Sequence, residues 1–305
     1  MKKRYLLVLV SVAVLAGLVY YSDPPSMYRI IAGSDKSFLF YALLVSTAGA
    51  LFRVMKWLVL LQGASFLDVA PVQFLGATIS NFTPGKIGEP AKSVMLKSKT
   101  GTPVSRSLPS VMWERILDIA VLVLLSFLLV NTTGLYIYAL GIFAVVVAAF
   151  LAVIYSRKFG SFVFGLLRRL PFMGRLSEQF VESFYKEKVP AGRILLSFFF
   201  TAAAWLADSA VFYLSFMALG IGLSPVFFAG LLAVSTIIGI ASFLPGGLGS
   251  TDAVMILLLS ASVATPAAAA GVFLARALTF WYSAFLGWLS LVHLGKSMDL
   301  KKVLE

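Results

Sequence analysis

Six long apolar runs decide what this chain can fold into. They fall at residues 5–21 ("YLLVLVSVAVLAGLVYY"), 37–61, 110–130, 134–154, 194–219 and 267–293. Each has about the 17–25 residues that a helix needs to cross a bilayer. They run well past the ~10 alternating residues of a barrel strand, so the helix is the spanning element. Only 12% of the 305 residues are charged, against roughly 25% in a soluble domain. The sequence therefore predicts an all-α polytopic membrane protein with six spanning helices in a single transmembrane domain. Its first half covers about 1–154, a cytoplasmic elbow 155–193, and its second half about 194–305.

The polar residues narrow the chemistry. Cysteine is absent, so disulfides and Cys-ligated metals are excluded. A single histidine, His293, argues against a His-based metal site or a Ser-His-Asp triad. No catalytic residue, metal or cofactor is expected. A net charge of +12 points to nucleic acid in a soluble protein. In a membrane protein the same charge marks cytoplasmic loops and meets anionic lipid, so no nucleic-acid partner is expected.

Basic residues also set the orientation. Lys2-Lys3-Arg4 precede the first run, and no small-x-small cleavage site ends it. It reads as a first helix with a cytoplasmic N-terminus rather than a signal peptide. The 62–109 connection carries Lys86, Lys92, Lys97, Lys99 and Arg106, and the 155–193 loop carries eight basic residues. The turns at 131–133 and 221–224 carry none. By the positive-inside rule the two basic segments and both termini face the cytoplasm of a plasma membrane. Leu176, Phe180, Val181 and Phe184 recur at helical spacing, which predicts an interfacial helix within the elbow.

Two stretches do not fit as spans. "NFTPGKIGEP" (81–90) and "FLPGGLGSTD" (243–252) each contain Pro-Gly-x-aliphatic-Gly. The motifs are Pro84-Gly85-Lys86-Ile87-Gly88 and Pro245-Gly246-Gly247-Leu248-Gly249. Each adjoins an apolar piece too short to cross, at 71–83 and 252–265. The expectation is two Pro-Gly-broken re-entrant hairpins, near 71–97 and 225–265, entering from opposite faces as an inverted repeat. Residues 225–244 are long enough to cross alone, which is the alternative. Transporters use such repeats to place a site at the midplane. Broken backbone inside a bilayer needs protein or water around it. The helix after each break presents free N–H groups and a positive dipole end, which suits an anion. Lys86 adds a full charge. On the other reading the breaks are tight turns, with Ser250, Thr251 or Asp252 as an ordinary cap and Glu89 as a first-turn acid.

Charged residues within the spans are costly against lipid, so they face the bundle interior. Arg276 and Asp208 fall deep in their runs, and Asp118 somewhat less so. Arg276 either carries a ligand's charge or pairs with Asp208 or Asp118 to fix packing. Glu114 and Asp118 share one helical face in "WERILD", around Arg115. An ion-pair network suits them better than proton chemistry. Arg53 and Lys56 share a face near the cytoplasmic end of their run and either snorkel to headgroups or capture one.

"NFTPGKIGEPAKSVMLK", "WERILDIAVLVLL", "FLPGGLGSTDAVMILLL" and an Arg in the last run, in that order, resemble the lysylphosphatidylglycerol synthase/flippase transmembrane family. The resemblance covers nearly the whole chain. It implies a membrane domain that handles a lipid with an anionic or modified headgroup. Family members with a fused soluble synthetase domain transfer lysine to phosphatidylglycerol. The sequence stops at Glu305, so lysyltransferase activity is not expected. Asp252 stands where similar members often carry Glu. The expectation is a lipid flippase or translocase whose partners are membrane lipids with phosphate-bearing headgroups. The residues assigned to its site are Arg53, Gly85, Lys86, Gly88, Glu89, Glu114, Arg115, Asp118, Asp208, Gly246, Gly247, Gly249, Asp252 and Arg276. The alternatives are a secondary transporter of a small anion and a membrane enzyme or accessory subunit acting on phospholipid or polyprenyl-linked lipid.

Overall fold

In the computed structural model every regular element among the described residues is a helix. The structure describes residues 2–83, 88–130, 156–167 and 189–295, with residues 145, 148, 152, 182, 185 and 186. The 134–154 span lies outside this set apart from three positions, as do the elbow residues Leu176, Phe180, Val181 and Phe184. Pro84, Gly85, Lys86 and Ile87 of the first break lie outside it too.

The helices run in chain order as α1 (Lys2–Tyr21), α2 (Pro24–Ala32), α3 (Lys36–Leu60), α4 (Phe66–Asn81), α5 (Ala91–Thr100) and α6 (Val104–Val130). Then come α7 (Arg157–Leu167), α8 (Ala191–Ala218), α9 (Pro225–Ala241), α10 (Ser250–Leu259), α11 (Thr265–Arg276) and α12 (Tyr282–Gly295). A π-helical turn, Ala277–Trp281, joins α11 to α12 without a break. Three stretches are long and apolar enough to cross a membrane: α3, α8 and the continuous Thr265–Gly295.

One order of elements occurs twice. A long helix (α3 or α8) is followed by a shorter one (α4 or α9), an irregular stretch, a ten-residue helix (α5 or α10) and a further long helix. Ten residues rise only ~15 Å, half a hydrocarbon core. The first short arm begins earlier than the apolar pattern alone suggests. Ser65 caps α4 by accepting from Asp68 N–H at 3.2 Å, and its hydroxyl donates to Asp68 Oδ2 at 2.7 Å. Capping therefore moves the start back to Phe66, with Pro71 inside the helix. Lys99 near the end of α5 returns to this start, donating to Leu67 O at 2.7 Å and lying 3.2 Å from Asp68. The start of α4 and the end of α5 therefore lie side by side.

Small residues let the long helices approach closely. The most extensive helix contact joins α3 to α8. There a Cβ on Gly49 would sit 3.1 Å from that of Ala207. A Cβ on Gly230 of α9 would meet the Leu129 backbone on α6. One apolar core gathers Phe212, Phe216, Phe228, Leu231, Met255 and Leu259 with the alanines of α11. A second gathers Val54, Trp57, Val69, Leu75, Met95 and Leu96. Between them the charged residues meet.

Candidate functional site

The spans force charged side chains inward, and the structure shows how they are satisfied. Six of them alternate in sign around a closed ring. Lys56 Nζ donates to Asp118 at 2.8 Å and 2.9 Å. Arg115 bridges Asp118 at 2.6 Å and Glu89 at 2.8 Å. Lys92 lies 3.4 Å from Glu89 and pairs with Glu114. Glu114 closes the circuit at 3.7 Å from Lys56. Trp205 Nε1 from α8 donates to Asp118 at 3.0 Å, and Ser80 donates to Glu89 at 3.4 Å.

Two further pairs stand outside the ring. Arg53 of α3 binds Asp208 of α8. Arg276 lies 2.7 Å from Asp252, not from Asp208 or Asp118 as the sequence suggested. The reason is geometric. Asp208 and Asp118 are held by cations from α3 and α6, while the second break sets Asp252 beside the end of α11. Snorkelling of Arg53 and Lys56 is likewise replaced by inward pairing, and Lys56 is buried. Among the described residues these pairs involve five cations and five carboxylates.

The second break shows why its glycines are there. Gly246, Gly247 and Gly249 have φ of 59°, 63° and 87°, a region side chains disfavour. A Cβ on Gly246 would meet Phe280 and, at 2.8 Å, the carbonyl of Asn81 at the end of α4. The end of α4 and the second break thus touch at this point. Arg276 Nη2 donates to Gly246 O at 3.4 Å. Gly249 is the N-cap of α10, and its N–H donates to Asp252 Oδ2 at 2.9 Å. Asp252 therefore caps the half-helix and holds Arg276 at once. At the first break Gly88 N–H donates to the Thr83 hydroxyl at 2.9 Å.

These groups surround one cavity of about 150 Å³. Arg53, Lys56, Arg115 and Arg276 line it with Glu89, Asp118 and Asp208. The end of α4 reaches it at Asn81, and the second break reaches it at Gly246 and Gly247, with Thr251 beyond them. Arg53 and Arg115 keep 28% and 33% of their side chains exposed, which makes them the most accessible of the paired cations. Gly85 and Lys86 lie outside the described residues. Glu114 is fully buried behind the cavity.

Sequence reasoning left Lys92 and Gln73 out of the site. Lys92 has no exposed surface, donates to Gln73 at 2.9 Å and lies 4.5 Å from the Trp57 ring centre. Gly76 on α4 leaves the space through which its stem passes. The available signal was Glu89-x-x-Lys92, three residues apart at the start of α5.

Apolar helices around a charged cavity define an integral multi-pass membrane protein. Residues 8–287 match the lysylphosphatidylglycerol synthase TM region, and the chain belongs to that family. It is 24% identical to a UPF0104 membrane protein of Methanothermobacter thermautotrophicus, over 98% of both chains. A UPF0104 membrane protein of Pyrococcus horikoshii is 26% identical, over 93% of this chain and 95% of its own. One from Methanocaldococcus jannaschii is 20% identical, over 98% and 97%.

Proposed function

We propose that the protein moves a lipid across the membrane by passing its phosphate-bearing headgroup through the central cavity. The observation that carries this is the meeting of the end of α4 and the second break at one cavity lined by Arg53, Lys56, Arg115 and Arg276. A phosphate there finds guanidinium groups matched to its oxygens. The acyl chains stay in the bilayer while the headgroup crosses.

On this reading six helices span, and two re-entrant hairpins enter from opposite faces as an inverted repeat. The ten-residue lengths of α5 and α10 support it, since neither reaches across the core. So does the clamp between Lys99 and the start of α4. The halves join through the 155–193 elbow, and both termini lie in the cytoplasm of a plasma membrane. Lys86, beside the first break, supplies an added positive charge to the headgroup.

A second reading is transport of a small free anion. The cavity's size favours it, because about 150 Å³ encloses a phosphate-sized group more readily than a large headgroup. Reconstitution separates the two. Vesicles containing the protein and a fluorescent phosphatidylglycerol should exchange it between leaflets faster than empty vesicles. Uptake of radiolabelled phosphate without lipid exchange would establish the second reading instead.

A further inference from the structure

The two halves carry a similar pairing, with the arginine at the same spacing from the last glycine of the break and the carboxylate one residue after it in the first half and three in the second. Arg115 stands 27 residues after Gly88, and Arg276 stands 27 residues after Gly249. In each half the arginine returns from the next helix to a carboxylate at the start of the half-helix after the break. Arg115 Nη1 meets Glu89 Oε2 at 2.8 Å, and Arg276 Nε meets Asp252 Oδ1 at 2.7 Å. Glu89 lies two residues before α5, and Asp252 is the third residue of α10. Both arginines face the same cavity.

An arginine that lines a cavity is a seat for phosphate oxygens, because its planar guanidinium presents paired N–H donors. Here a protein carboxylate fills each seat, and neither seat is fully satisfied. Nε of Arg115 and of Arg276 are buried without a hydrogen bond. Asp252 Oδ1, on a side chain 1% exposed, touches Arg276 without a hydrogen bond's alignment. A better-matched anion has bonds to gain at both places.

We infer that Glu89 and Asp252 are built-in place-holders, one in each half, occupying the arginine seat that the phosphate of the headgroup takes by displacing them. This rests on the proposed headgroup site. It explains why a site for an anion is charge-balanced among the described residues. Without Asp252, Arg276, only 14% exposed, would lose its acidic partner when the ligand departs, which is unfavourable, while Arg115 would keep Asp118 alone. The carboxylate returns to cover the arginine.

The test measures binding to the purified full chain in mild detergent, with two probes: dioctanoyl phosphatidylglycerol and inorganic phosphate. Glu89→Gln and Asp252→Asn keep the shape and an acceptor oxygen but remove the competing charge. Each should bind the lipid probe on the order of tenfold tighter than the wild type. Adding Arg115→Gln to the first, or Arg276→Gln to the second, should abolish the gain. Tightening for both probes means the seat reads the phosphate alone. Tightening for the lipid only means that the rest of the lipid is needed as well. Neutral variants that bind at wild-type strength or more weakly overturn the place-holder role. So does failure of both to fold, which would make the carboxylates structural ions. If the wild type moves lipid while the neutral variants gain nothing, only the place-holder role falls. If Arg115→Gln and Arg276→Gln both move lipid at the wild-type rate, the headgroup reading falls with it.

Discussion

Lys92 and Glu114 pair with neither side chain exposing any surface. The lysine stem runs through the gap at Gly76 and past the face of Trp57, and its amine also reaches Gln73. Helices α4, α5 and α6 are thus pinned together by one cation. The pair closes one side of the charged ring, so the cavity-lining Glu89 and Arg115 depend on it for their positions.

Removing one partner of a buried pair strands the other, at a cost of about 3–5 kcal/mol. Lys92→Met should therefore lower stability by about that amount, read as denaturant unfolding in detergent by tryptophan fluorescence. The double variant Lys92→Met/Glu114→Leu removes both charges and should recover most of the loss. Equal destabilisation in single and double variants would show that packing, not charge, sets the cost.

Gly246 should be as sensitive for a different reason. Its φ of 59° strains any side chain, and a Cβ would meet Phe280 and the Asn81 carbonyl. Gly246→Val should cost on the order of 1–3 kcal/mol and slow lipid exchange, because it pushes the second break away from the end of α4. Gly63→Ala, at φ 81° but with open space around it, supplies the control. It should carry the backbone strain alone and leave exchange near the wild-type rate. Equal loss of exchange in both would rule out the contact between the second break and the end of α4 as the cause.

Much of this was legible in the chain. The Pro-Gly motifs marked where helices stop, and rarity of charge marked Arg276, Asp208 and Asp118 as inward-facing. Pairing was not legible, because it depends on which helices become neighbours. Arg276 finds Asp252, which is close in space only because the break turns the chain back. Lys92 shows the limit most clearly. Counted along the sequence it is one of five basic residues in a cytoplasmic connection. In the fold it is buried, since Glu114 and Gln73 come to it from helices the local pattern cannot place. Helix α2 was also missed. Its nine residues contain two prolines and an arginine and never form a long apolar run.

The link between halves is tested by exchanging charge across it. Arg53 and Asp208 are each the eighteenth residue of their helices, α3 and α8, and they pair at the cavity edge. Arg53→Asp and Asp208→Arg should each place like charges together and reduce both folded yield and lipid exchange. The combined swap restores opposite charges and should recover part of each, with a coupling of about 0.5–3 kcal/mol. A swap no better than the worse single variant would show that the orientation of the pair matters as much as its existence. That is the result expected if Arg53 also contacts the headgroup.

Topology can be tested directly, because the native chain has no cysteine. Gly192 at the start of α8 and Gly222 just beyond its end are both exposed, and a Cβ at either meets nothing within 4 Å. Cysteine fits at both without disturbing the fold. The 28 residues of α8 rise ~42 Å, more than a ~30 Å hydrocarbon core, so the two sites should lie on opposite faces. By the positive-inside rule the basic loop before α8 should put Gly192 inside, and the uncharged 221–224 turn should lie outside. On intact cells an impermeant maleimide should label Gly222→Cys and leave Gly192→Cys untouched until the cells are opened. Reversed labelling would invert the orientation and leave the site intact, because the ion pairs do not depend on which face is inside. Labelling of both from outside would mean that α8 does not cross, and the inverted pair of hairpins could not then be built.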